Sequence, residues 1–155
     1  MKKIGIADTT FATIDLASFA IETIRKNSDA EIVRYTVPGL KGLPVACKKL
    51  LEESNCDIAM ALGMAGPMPI DKQCSHEASM GLQTAQLLTN RHILEVFVHM
   101  DEAKSGKELY SIAKNRAEKH ALNALELLKG RNSLSKYSGM GRRQGKDDAG
   151  PLKLK

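Results

Sequence analysis

The sequence predicts an α/β fold, a three-layer flavodoxin-like sandwich in which a four-stranded parallel sheet carries helices on both faces. Two observations support this. Short aliphatic or β-branched runs alternate four times with stretches whose apolar residues recur every three or four positions, the pattern that builds a parallel sheet through right-handed crossovers. The third of those runs, Asp57 to Leu62, is apolar almost throughout, as a strand covered on both faces must be. With 155 residues, one domain is expected over residues 1–130. A basic tail, residues 131–155, is expected to pack on the same or a neighbouring subunit.

Lys2 to Asp8 reads as the first strand, ending in Thr9-Thr10-Phe11-Ala12-Thr13. Ile14, Ala17, Ile21 and Ile24 then form one helical stripe, and Arg25-Lys26 supply the basic residues that suit a last turn. Glu31 to Val37, rich in β-branched and aromatic residues, is a second strand closed by Pro38-Gly39. Leu43, Cys47, Leu50 and Leu51 mark a second helix with Pro44 near its start, where a missing N–H costs little. After strand three, Gly63, Gly66, Pro67 and Pro69 interrupt the pattern, so Gly63 to His76 reads as a long loop before a helix through Ala78, Leu82, Ala85 and Leu88. His92 to Val98 is strand four. Leu109, Ala113, Ala117, Ala121, Ala124 and Leu128 stripe a final helix drawn from about Asp101, whose amino end Asp101 and Glu102 are expected to favour through the helix dipole. Beyond Gly130 no further element is licensed.

Composition excludes several classes. No apolar run approaches the roughly 20 residues of a membrane helix, and the amino terminus has no signal-peptide pattern, so a cytoplasmic location is expected. Cys47, Cys56 and Cys74 form no Cys-x-x-Cys pair, which argues against a disulfide framework and a structural zinc. Of the net charge of +5, residues 129–155 carry +6 and the remainder −1. A nucleic-acid arm would place its charge there, but stacking aromatics are absent apart from Tyr137, and no nucleic-acid partner is expected.

Ligands of open α/β sheets bind at the carboxyl ends of the strands. Here those ends gather Thr9 to Thr13, Thr36 to Gly39, Gly63 to His76 and Val98 to Glu102. Together they offer the aromatic face of Phe11, backbone polar groups around Pro38-Gly39 and Gly63, and the titratable groups His76, Glu77, His99, Asp101 and Glu102, the make-up of a pocket for a flat heterocycle with polar substituents. The ordinary alternatives are a core role for Phe11 and capping or surface roles for the two histidines. Gly63-Met64-Ala65-Gly66 matches neither a P-loop nor a dinucleotide fingerprint, and no residue set has metal-ligand spacing.

Several segments are familiar together: Asp8-Thr9-Thr10-Phe11-Ala12, Thr36-Val37-Pro38-Gly39 with Leu43-Pro44-Val45-Ala46-Cys47, Met60-Ala61-Leu62-Gly63-Met64, Cys74-Ser75-His76-Glu77-Ala78-Ser79, Glu95-Val96-Phe97-Val98-His99, Arg143-Gln144-Gly145 and Asp147-Asp148-Ala149-Gly150-Pro151. In these the chain resembles the archaeal type of riboflavin synthase over essentially its whole length, and more distantly lumazine synthase. The resemblance implies a lumazine synthase-like fold, a homopentamer with sites between subunits, and a transferase. The implied reaction is the dismutation of two 6,7-dimethyl-8-ribityllumazine molecules to riboflavin and 5-amino-6-ribitylamino-uracil. No organic cofactor is implied, and a divalent cation such as Mg is left open. Thr10 and Phe11 would meet the ring, and Val37, Pro38, Gly39, Gly63 and Met64 would line the slot. His76 would transfer protons with Glu77 orienting it or binding a ribityl hydroxyl, while His99, Asp101 and Lys119 are further candidates, the last from across the subunit boundary. Two departures from lumazine synthase stand out: the segment after Gly63 lacks that family's Arg-Gly-x-Thr run, and Gly42 occupies a place where an acidic residue is common. Lumazine synthase itself is the alternative activity.

Overall fold

The computed structural model describes residues 1–155. Four strands, β1 (Lys3–Thr9), β2 (Glu31–Val37), β3 (Ile58–Ala65) and β4 (Ile93–His99), alternate with α1 (Leu16–Asn27), α2 (Leu43–Glu52), α3 (Pro69–Thr89) and α4 (Gly106–Lys129). The sheet is parallel in the order β2-β1-β3-β4. Thus β2 and β4 are edges, and the two central strands end side by side.

Side-chain alternation along the strands splits the core in two. Ile4, Ile6, Met60, Leu62, Val96 and Val98 point to the layer of α1 and α4, where Ala113, Ala117, Ala121 and Ala124 of α4 are fully buried. Alanine at those positions lets the helix backbone approach the sheet. Ala7, Ala59, Ala61 and Phe97 face the other layer, packed by Leu43, Ala46, Leu50 and Leu51 of α2 and by Ala78, Leu82 and Ala85 of α3. Every residue of β3 is buried, as its uniform hydrophobicity requires.

Helix starts follow local chemistry. Asp15 caps α1, its carboxylate accepting from Ser18 N at 3.2 Å, and Ser105 caps α4 by accepting from Glu108 N at 3.2 Å. Ile14, counted above with the first helical stripe, lies just before α1.

Three sequence expectations are corrected. The loop expected from Gly63 to His76 is mostly regular structure: β3 runs on to Ala65 and α3 begins at Pro69, leaving Gly66-Pro67-Met68 as the connection. Pro69 is an initiator, because its missing N–H falls among helix donors that have no intrahelical acceptor, and the Asp71 carboxylate accepts from Met68 N at 3.0 Å. The last helix starts at Gly106, so Asp101 and Glu102 stand in a separate 3₁₀ turn, Met100–Glu102, and serve side-chain partners described below. The tail contains a 3₁₀ turn at Ser135–Tyr137.

Candidate functional site

The β1 and β2 ends are zipped together beyond the last sheet residues. Thr10 N donates to Val37 O at 2.9 Å and Phe11 N to Pro38 O at 3.2 Å, while Thr10 Oγ1 donates to Pro38 O at 3.4 Å. Thr13 Oγ1 donates to Met64 Sδ at 3.3 Å and ties the same loop to β3. Held this way, the Phe11 ring stays 55% exposed instead of entering the core. It borders a cleft of about 290 Å³ lined also by Gly39, Leu40, Lys41, Met64, Ala65, Gly66, Asp71 and Cys74. An exposed ring over a mostly apolar floor suits the flat face of a heterocycle. Gly63 lies beneath the floor: a Cβ there would sit 2.3 Å from Leu40 Cδ2, so its lack of a side chain lets Leu40 fill that space. Val37 is buried, and Pro38 is exposed beside the cleft.

On the other side of β3, Ala65 pairs in register with His99 at the end of β4. His99 Nε2 lies 3.0 Å from Ser75 Oγ, and Ser75 is buried on α3 next to Cys74. The same helix face meets the same strand face one turn later, where Ser79 donates to Glu95. Glu102 accepts from His99 N at 2.8 Å and takes both terminal nitrogens of Arg116, at 2.7 and 2.9 Å. Burial pushes the Glu102 carboxyl up, but the Arg116 hydrogen bonds and the His99 N–H outweigh it and hold the group below its ordinary range. With a folded pKa below the unfolded one, the stabilisation is present above about pH 4 and lost as pH falls through the folded value. Glu102→Gln is therefore expected to flatten the acid limb of a Tm-against-pH curve below about pH 4; an acid limb identical to that of the unmodified protein would contradict this.

The remaining sequence candidates divide. Lys72 donates to Asp101 at 2.6 Å, joining α3 to the turn after β4 and holding the Asp101 carboxyl below its usual range. Glu77 pairs at 2.6 Å with Lys41, a residue of the cleft, and so joins α3 to the Leu40–Gly42 turn. His76 is exposed on α3 and is not among the residues lining the Phe11 cleft. Lys119 lies away from the cleft, its Nζ donating to Arg143 O and Lys146 O of the tail, each at 3.1 Å. Sequence reasoning placed Cys74 in the site segment but missed Leu40 and Lys41 in the cleft, and also Ser75 as the partner of His99. Leu40 and Lys41 directly follow Pro38-Gly39, a signal that was available. The Ser75–His99 pair spans 24 residues and had none. No group of three or more His, Cys, Asp or Glu side chains converges to hold a metal ion.

The thiols report on the cleft. Burial pushes Cys47 up to about 12 and Cys56 to about 11, leaving both inert near neutrality, whereas Cys74 lines the opening. An alkylating reagent at neutral pH is expected to modify Cys74 alone in the folded protein, with a flat heterocycle bound in the cleft slowing it. Peptide mass spectrometry showing equal labelling of all three thiols, or no slowing, would contradict this placement.

Comparison with known proteins agrees with the architecture. Residues 1–132 match the family model described as 6,7-dimethyl-8-ribityllumazine synthase. The chain is 55% identical to a protein of Methanothermobacter thermautotrophicus named riboflavin synthase, over 98% of this chain and 100% of that one. It is 48% identical to a riboflavin synthase of Archaeoglobus fulgidus, over 97% and 98% of the two chains. Similarity to a 6,7-dimethyl-8-ribityllumazine synthase of Thermococcus onnurineus is 26%, over 74% of this chain and 77% of that one. The chain belongs to the 6,7-dimethyl-8-ribityllumazine synthase family, in the group that holds the archaeal riboflavin synthases.

Proposed function

We propose that the protein makes riboflavin by dismutation of two molecules of 6,7-dimethyl-8-ribityllumazine, one giving a four-carbon unit to the other and leaving as 5-amino-6-ribitylamino-uracil. The observation that carries this reading is the reach of the similarity. Proteins named riboflavin synthase match along nearly the whole chain, tail included, while the lumazine synthase model ends at residue 132. The two products together contain every atom of the two substrates, so the reaction needs no oxidant or reductant. It needs two rings held face to face and a proton taken from the C7 methyl of one of them. Phe11 and the Gly39–Lys41 turn hold a ring, and binding in a fixed orientation replaces a bimolecular encounter with a near-attack arrangement. Neither histidine lines the cleft itself. His99 is taken as the proton-transfer group in this reading because it pairs in register with the cleft residue Ala65 and has its ring oriented by Ser75 and its backbone by Glu102. His76 is exposed on α3 and would have to act from a neighbouring copy.

The oligomer belongs to the same proposal. Val45 on α2, with Met80, Leu87 and Leu88 on α3, leaves large apolar side chains on the outer helix layer, Leu87 at 84% exposure, and a neighbouring copy would cover them. A homopentamer with the cleft at the subunit boundary fits, and light scattering at the mass of five chains is the expected result. No helix is long and apolar enough to cross a membrane. The activity is tested by supplying the lumazine alone. Riboflavin formation supports the proposal. Failure to form it, together with condensation of the uracil with dihydroxybutanone phosphate, would assign the alternative activity, lumazine synthase.

A further inference from the structure

Arg116 is the most heavily engaged side chain near the strand ends. It is 11% exposed, and besides its two bonds to Glu102 it donates through Nη1 to Phe97 O at 3.0 Å and through Nε to Gln144 O at 3.2 Å. Phe97 O belongs to edge strand β4, so the guanidinium reaches from α4 to the strand that carries His99. A guanidinium presents its donors in a rigid fork; two of its four bonds hold both Glu102 oxygens, and the other two, to Phe97 O and Gln144 O, fix the guanidinium itself.

The fourth bond comes from the tail. Residues 143–148 close on themselves, Arg143 N donating to Asp148 Oδ1 at 3.0 Å and Arg143 Nε to Asp147 O at 2.7 Å. This loop is fastened to one stretch of α4: Gly145 N donates to Asn115 Oδ1 at 2.9 Å, and Lys119 holds the carbonyls of Arg143 and Lys146. Gly145 lies against the guanidinium itself. Its φ of +89° is one that residues with a side chain rarely adopt, and a Cβ there would be 2.4 Å from Arg116 Nη2 and 2.6 Å from Cζ. The tail backbone is thus the back wall of the Arg116 slot.

We propose that Arg116 is a positioning residue for the reaction and that the tail loop 143–148 locks it. A continuous chain runs from the tail through Arg116 and Glu102 to the His99 backbone, and the His99 ring meets Ser75, the residue after Cys74 of the cleft, while His99 itself pairs in register with the cleft residue Ala65. This rests on the riboflavin-forming reading and adds a role for the segment that the lumazine synthase model does not cover. Arg116 touches no substrate in this account. It sets where His99 stands.

Three variants test the proposal in the full-length chain: Gly145→Ala, Arg116→Lys and Arg116→Ala. Each is assayed for kcat and KM on the lumazine, for lumazine binding, and for thermal unfolding. Misplacement of a catalytic group by about 1 Å costs on the order of 100-fold, so Gly145→Ala is expected to lower kcat about 10- to 100-fold with KM and binding changed less than about threefold. Arg116→Lys keeps the charge but not the fork, and is expected to stay low. Arg116→Ala is expected to regain kcat when free guanidinium is added at concentrations that leave unfolding unchanged, a response that a purely structural role does not produce. Should Arg116→Ala fail to fold, Gly145→Ala and Arg116→Lys decide. Unchanged kcat in either of those two, or losses that follow only the unfolded fraction, would overturn the proposal. An unmodified protein that makes no riboflavin would instead remove the functional reading on which it rests.

Discussion

His99→Ala is expected to lower riboflavin formation about 10²- to 10⁴-fold, the range for a lost general acid–base, while lumazine binding stays within a few-fold of the unmodified protein. The separation follows from the geometry. In the proposed reading the ring is held by the cleft residues Phe11, Leu40, Met64 and Ala65, and none of these is hydrogen-bonded to the imidazole. Removing the imidazole leaves Ser75 Oγ without its 3.0 Å partner but disturbs no core residue. Steady-state kinetics with a binding titration checks it. A kcat within threefold of the unmodified value would take His99 out of the mechanism. His76→Ala is the matched comparison: if the larger loss appears there, a neighbouring copy delivers His76 and the proton-transfer role passes to it.

Leu82→Ala is expected to destabilise the protein by about 2–5 kcal/mol, the cost of deleting a large buried aliphatic side chain. The reason lies in how α3 is anchored. Its buried residues are Ser75, Ala78, Leu82 and Ala85, so Leu82 is the one large side chain by which a 21-residue helix grips the sheet and α2. For a chain of this length the loss corresponds to a Tm lower by roughly 5–15 °C. Because α3 also carries Cys74 and Ser75, turnover is expected to fall at temperatures where the variant is still folded. A Tm within about 2 °C of the unmodified protein would show that α3 is held by something other than this contact.

The fold was legible because its signals are local. Strand four announces itself in Ile93 to Val98 and lies within one residue of its expected place. The alanines of α4 recur at helical spacing, so that helix ends within one residue of its expected end although it starts at Gly106, later than expected. Gly63 to His76 was misread because proline and glycine end helices and also begin them. Pro69 stands at the one place in a helix where a missing N–H is harmless, and only Asp71 two residues later marked the start. Asp101 was assigned to the α4 dipole because sequence shows proximity along the chain, whereas its partner Lys72 is 29 residues away. For the same reason Phe11, Gly39 and Met64 could be grouped by topology as strand ends, but the Arg116 slot could not. That slot joins β4, α4 and the tail through backbone carbonyls, which any residue type supplies.

The account turns on what the protein does with a single substrate. The most direct measurement is the stoichiometry of a reaction containing only purified protein and 6,7-dimethyl-8-ribityllumazine, with riboflavin followed by absorbance and 5-amino-6-ribitylamino-uracil by chromatography. The prediction is one riboflavin and one uracil product for each two lumazines consumed. Lumazine that binds in the cleft and is recovered unchanged would contradict the account, leaving the fold and the slot in place but assigning the chemistry elsewhere.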